Sequence, residues 1–87
     1  MNRDYNDPEY KKWRSKIRAR DRYTCQFPNC QSRKNLHVHH ILKWKEYPGL
    51  RYHVDNGITL CKLHHQMITG KEEYYIKILG DIIRSKK

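Results

Sequence analysis

Three cysteines and six histidines give this sequence a high density of side chains that ligate metals or move protons near neutral pH. Cys25 and Cys30 form one close pair, and Cys61 and His64 form a second pair further along the chain. Two pairs of soft or borderline ligands suit a tetrahedral zinc, because one turn of chain can present both groups of a pair to the same ion. His64 stands where a fourth cysteine is more usual, and His65 is the competing fourth ligand. An odd number of thiols also argues against a disulfide framework.

Zinc takes at most one or two of the histidines. His39, His40 and His65 remain as a second group, while His37 and His53 read as surface or hydrogen-bonded residues. Neighbours on a helix differ in direction by about 100°. His64 and His65 therefore serve two different centres more easily than one. On a regular strand His39 and His40 point to opposite faces. If both act at one centre, the strand must end or bend there.

The elements that must position these groups are short. Residues 1–7 read as a polar, frayed leader, except that Asp7-Pro8 has the form of an N-cap followed by a first helical proline. Tyr10, Trp13 and Ile17 then fall on one face of a helix that ends near Asp21. The turn-rich stretch 23–35 carries the first cysteine pair. Residues 36–41 alternate like a strand, 43–57 form a long ordered loop, and Ile58-Thr59-Leu60 is a second short strand. A helix follows over 61–69, ended by Gly70. Thr69 and Glu72 fit a capping box for a last helix over about 71–85, with Tyr75, Leu79, Ile82 and Ile83 as its buried stripe. The reading is one α+β domain over 1–87: a hairpin and a helix around a site, flanked by two more helices.

Composition narrows the partner. A net charge of +10 and a pI near 9.7 suit a polyanion, either nucleic acid or an anionic membrane surface. Arg14, Lys16, Arg18, Arg20 and Arg22 are the candidate phosphate contacts. No run is long and apolar enough to span a bilayer, and no signal peptide is visible, so a cytoplasmic, intracellular location is expected. A chain this small buries a limited core, which makes a structural metal useful as a staple.

Val38-His39-His40-Ile41, then Asn56 in Asp55-Asn56-Gly57-Ile58-Thr59-Leu60-Cys61, then His65 after Lys62-Leu63-His64, resembles the HNH endonuclease motif. The resemblance runs from about Trp13 to Met67 and includes Arg20-Asp21-Arg22-Tyr23-Thr24-Cys25 as the approach to the first cysteine pair. It departs from the commonest pattern in the wider first pair and in His64. His39 is aspartate in many members and histidine in others.

The resemblance implies a ββα-metal (His-Me finger) fold with structural zinc at Cys25, Cys30, Cys61 and His64. It makes His40 the general base, and gives His39 and His65 a catalytic divalent ion such as Mg2+ or Mn2+. Asn56 positions the loop that orients His40. The implied reaction is hydrolysis of DNA phosphodiesters to 3′-hydroxyl and 5′-phosphate ends, with one site per chain and hence nicking by a monomer. The alternative is a zinc-stabilised module that binds nucleic acid without cutting it. Chains of this size resemble phage-encoded members of the family, some of which work beside the DNA-packaging terminase.

Overall fold

The computed structural model describes residues 6–86. The expectation of a frayed leader therefore falls mostly outside the described residues. Asp7 is a working cap: its Oδ1 accepts the Glu9 N–H at 2.9 Å, and Pro8 opens helix α1 (Pro8–Arg20). Tyr10, Trp13 and Ile17 are the buried face of α1, as their spacing requires.

Strand β1 (Leu36–His40) pairs antiparallel with β2 (Gly57–Cys61), with His40 opposite Gly57 and Leu36 opposite Cys61. Helix α2 (Lys62–Ile68) follows β2 directly, and α3 (Glu72–Arg84) closes the chain. The connection between the strands carries two single turns of 3-10 helix, Pro48–Leu50 and Val54–Asn56.

The two-stranded sheet is a thin layer with helices on both faces. Alternation sends Ile58 and Leu60 into a core shared with Ile68 of α2 and Leu79 and Ile83 of α3. The opposite face meets the Tyr10, Trp13 and Ile17 cluster of α1, against which Val38, Trp44 and Tyr52 pack. Gly57 makes that second contact close: a Cβ there would overlap Ile17 Cδ1 and sit 2.6 Å from Trp13 Cζ2.

Asp21 straps the end of α1 to the sheet. It is 1% exposed, and its carboxylate accepts from Arg20 Nε (2.8 Å) and Nη2 (3.0 Å) and from the Thr59 N–H (2.9 Å). Arg20 also donates to the carbonyls of Val54 and Gly57.

The start of α3 differs from the sequence reading. Its N-cap position is Lys71, with no side-chain cap, and Thr69 Oγ1 instead donates to the His65 carbonyl at the end of α2. Gly70, at φ +86, turns the chain between the helices and so separates Thr69 from α3. The Glu72 carboxylate turns to its own N–H and that of Gly70, which hold it below the usual carboxylate range. No helix of the described residues is long and apolar enough to cross a membrane.

Candidate active site and metal centre

The first cysteine pair is brought together by a tight turn. Cys30 N–H donates to the Phe27 carbonyl at 3.0 Å, and Asn29 takes the left-handed conformation at φ +66. The second pair spans the junction of β2 and α2, with His64 in the first turn of the helix. The three Sγ atoms and a His64 ring nitrogen all lie within 4.8 Å of one another. Cys61 Sγ stands 3.3 Å from His64 Nδ1, Cys25 Sγ stands 3.6 Å from it, and Cys30 and Cys61 Sγ are 4.0 Å apart. A zinc with bonds of about 2.3 Å to sulfur sets tetrahedral edges of about 3.8 Å. The donors already stand at that spacing, so the cluster is compatible with a zinc site.

Electrostatics points the same way. Burial pushes the Cys25 thiol up to about 11. Burial opposes ionisation of Cys61 too, but the backbone N–H of His64 and the Cys25 and Cys30 side chains hold it below the ordinary thiol value. A divalent cation among three thiols supplies the charge that burial otherwise denies them. His64 rests flat on Phe27, at 4.3 Å and 11° between rings, which fixes its edge toward the sulfurs. The competing ligand, His65, faces a different group.

His65 looks across α2 to the β1 histidines. Its ring centroid is 5.8 Å from that of His39 and 5.0 Å from that of His37, on which it stacks. Burial, and after it the neighbouring His37, pushes the His65 pKa down; Glu72 pulls weakly the other way. A neutral imidazole is the form that ligates metal.

His40 points to the opposite face of the sheet. It is 7% exposed and stacks on Trp13 at 4.0 Å, with Trp44 edge-on at 5.5 Å. Its Nε2 lies 2.8 Å from the Arg51 carbonyl. A carbonyl only accepts, so Nε2 carries the proton and Nδ1 carries the lone pair. β1 ends at His40. At that end a cavity of about 280 Å³ is lined by His39, His40 and His65 together, and by Lys43, Trp44 and Glu72. The strand's termination thus answers how two residues on opposite faces can share one centre.

Asn56, 5% exposed, staples the loop that carries Arg51. Its Oδ1 accepts the Leu42 N–H at 2.7 Å, and its Nδ2 donates to the carbonyls of Leu42 (3.2 Å) and Leu50 (3.0 Å). Arg51 is clamped further by its own side chain, which donates from Nε to the Trp44 carbonyl at 2.7 Å and lies over the Trp44 ring.

Lys43, Trp44 and Glu72 were not singled out by sequence. Only the length of the 43–57 loop hinted that it carried more than a connection. His37, read as a surface residue, is exposed but belongs to the histidine group. His53 accepts from Asp55 N–H and its carbonyl takes the Trp13 indole N–H, which is the hydrogen-bonded role expected of it. Among the basic residues, Lys16 and Arg22 are exposed, Arg14 lies over the Tyr10 ring, and Arg18 is half-buried. Arg20 departs from the phosphate-contact expectation. Each of its guanidinium nitrogens donates to an acceptor within the molecule, since the carboxylate of Asp21 and two loop carbonyls surround it.

A family model described as HNH endonuclease matches residues 24–71. No curated protein and no solved structure matches the chain. The matched span is more than half of the chain. It begins one residue before the first cysteine, ends just before α3, and contains the Cys/His cluster and the His39–His65 group together with His40 and Asn56. The chain therefore belongs to the HNH endonuclease family.

Proposed function

We propose that this protein is a metal-dependent endonuclease that hydrolyses the phosphodiester backbone of DNA, with His40 as general base. The observation that carries the reading is the Nε2–Arg51 hydrogen bond, which puts the proton on Nε2 and makes Nδ1 the basic nitrogen of a residue that lines one cavity with His39 and His65. Nδ1 takes a proton from water as the water oxygen bonds to phosphorus and the bond to the 3′ oxygen breaks, and the departing 3′ oxygen takes a proton from solvent. The products are a 3′-hydroxyl and a 5′-phosphate. His39 and His65 are the residues that hold a divalent cation such as Mg2+ or Mn2+, which supplies Lewis-acid stabilisation of the charge developing on the phosphate oxygens. Asn56 is a positioning residue, acting through the loop it staples.

Cys25, Cys30, Cys61 and His64 hold a structural zinc in this reading. Lys16 and Arg22, with Arg14 and Arg18 beside them, contact phosphates without regard to sequence. One chain carries one such site, so a monomer cuts one strand per encounter.

Supercoiled plasmid, incubated with a series of divalent metals, tests the proposal. Wild type should give open circles first and linear molecules later. His40→Ala should cut at least 100-fold more slowly with duplex affinity unchanged, measured below its melting temperature, which the lost stacking on Trp13 and the lost Arg51 hydrogen bond should lower. Metal-dependent cleavage at the wild-type rate by that variant would remove His40 from its role. Duplex binding with no cleavage by wild type under any metal would favour the non-catalytic module.

A further inference from the structure

A second cavity, of about 760 Å³, opens along the outer edge of β2 and shares no lining residue with the cavity at His39 and His40. Its edge position follows from two backbone ties: Thr59 N–H donates to Asp21, and Gln26 N–H donates to the Thr59 carbonyl. Its walls hold four cations, Arg20, Arg22, Arg33 and Lys86, and one carboxylate, Asp21.

Asp21 does not balance that charge. Arg20 engages both of its oxygens, so the two form a neutral pair. Lys86 Nζ is 3.7 Å from the same carboxylate, and neither Arg22 nor Arg33 has a carboxylate within ion-pair distance among the described residues. The cavity is thus surplus in positive charge and polar in its remaining walls, Thr24, Gln26 and Gln31.

Arg33 is also held in place. Arg33 Nε donates to Thr24 Oγ1 at 3.2 Å, and Thr24 Oγ1 donates to the Arg22 carbonyl at 2.9 Å. That leaves the outer guanidinium nitrogens of Arg33 for a two-pronged acceptor such as the two non-bridging oxygens of a phosphodiester. Arg22 sits at φ +56 and Tyr23 at φ +52, where helix ends commonly place a single glycine. The chain keeps an arginine at a position whose backbone favours glycine or asparagine.

We infer that this cavity is a second phosphodiester-binding site, which grips nucleic-acid backbone away from the scissile bond through Arg22, Arg33 and Lys86. Its breadth fits a run of backbone better than a lone phosphate ion. The assignment rests on the nuclease reading for the identity of its polyanion.

Fluorescence anisotropy with a labelled 20-base-pair duplex, in buffer without Mg2+ or Mn2+, tests it. The variant combines Arg22→Asn, which tolerates the left-handed backbone, with Arg33→Gln. Each lost phosphate contact should flatten the log–log salt dependence by about 0.9, so the pair should flatten it by up to about 1.8. Melting temperature and zinc content should match wild type, and Lys77→Gln on α3 should leave the slope unchanged. Arg33→Gln alone, at an exposed residue, serves if the pair fails to fold. Wild-type affinity and slope in these variants would overturn the site while leaving the nuclease reading standing. Failure of wild type to bind duplex at all would overturn both. Capture of anionic phosphatidylserine vesicles in place of duplex, lost in the same variants, would assign the cavity to a membrane instead and refute the proposal.

Discussion

Tyr52 joins the inter-strand loop to the first helix by a single hydroxyl. Its O–H donates to Asp7 Oδ2 at 3.0 Å, and Asp7 is also the cap of α1. Burial and the Asp7 carboxylate raise the Tyr52 pKa above its ordinary value of 10.0. The protonated form is the one the fold favours. Its contribution to stability is therefore fully present below pH 10 and is lost as pH rises through the raised value. Tyr52→Phe should cost about 1 kcal/mol at neutral pH. The difference between wild type and variant in urea unfolding should shrink above pH 10. A difference that stayed constant through that range would mean the hydroxyl is not what couples loop and helix. Residue-scale reasoning from sequence was weakest for such pairs. Nothing in the spacing of Asp7 and Tyr52, or of Arg20 and Val54, marks them as neighbours. Arg20 looked like one cation among many on α1, and only the adjacent Asp21 hinted that its charge was already taken.

At the scale of elements, Gly57 decides how near α1 approaches the sheet. Its φ of −137 suits any residue, so its constraint is space and not backbone freedom. The missing side chain lets Trp13 lie against His40, the residue paired with Gly57 across the sheet. Gly57→Ala should therefore destabilise the protein by about 1–3 kcal/mol through overpacking. Under the proposed role of His40 it should also lower the cleavage rate, because Trp13, which stacks on the His40 ring, must shift to make room for the added methyl. Thermal melts and plasmid cleavage check the two effects, and a variant as stable as wild type would show that α1 can shift without penalty. The elements themselves were largely legible. The Asp7-Pro8 start and the Tyr10, Trp13, Ile17 spacing give α1, and β-branched alternation gives both strands. The start of α3 was misplaced because Thr69 and Glu72 satisfy the capping spacing, while the turn at Gly70 reassigns Thr69 to the preceding helix. Lys43, Trp44 and Glu72 reach the cavity through the inter-strand loop and helix packing, which no local pattern encodes.

Over the whole molecule, the Cys/His cluster gathers the turn after α1, the end of β2 and the start of α2 into one point. A chain of this size gains little from its core alone. Structural zinc in small domains is worth about 10–16 kcal/mol, against typical domain stabilities of about 5–15 kcal/mol. The purified protein should carry about one zinc per chain, and a strong chelator should abolish the cooperative thermal transition and most of the helical circular dichroism. A chelated, metal-free protein with the same melting temperature would rule out the staple. The molecule's longest dimension, 35 Å, also matches about ten base pairs of duplex. A single stretch of DNA is thus long enough to meet both cavities.

His39 and His40 are consecutive, yet one looks toward α2 and the other is seated among the aromatic rings of α1. The two rings thus rest on different neighbours, although both reach the cavity at the strand's end. Under the ligand role proposed for His39, an aspartate in its place would alter what the α2 side offers an ion and leave the Trp13 seat of His40 intact. A change at Trp13, which stacks on His40 and does not line the cavity, would conversely act on the proposed base and leave His39 and His65 alone. Under the roles proposed for His39 and His40, ion preference and base strength could consequently drift apart in descendants of this chain.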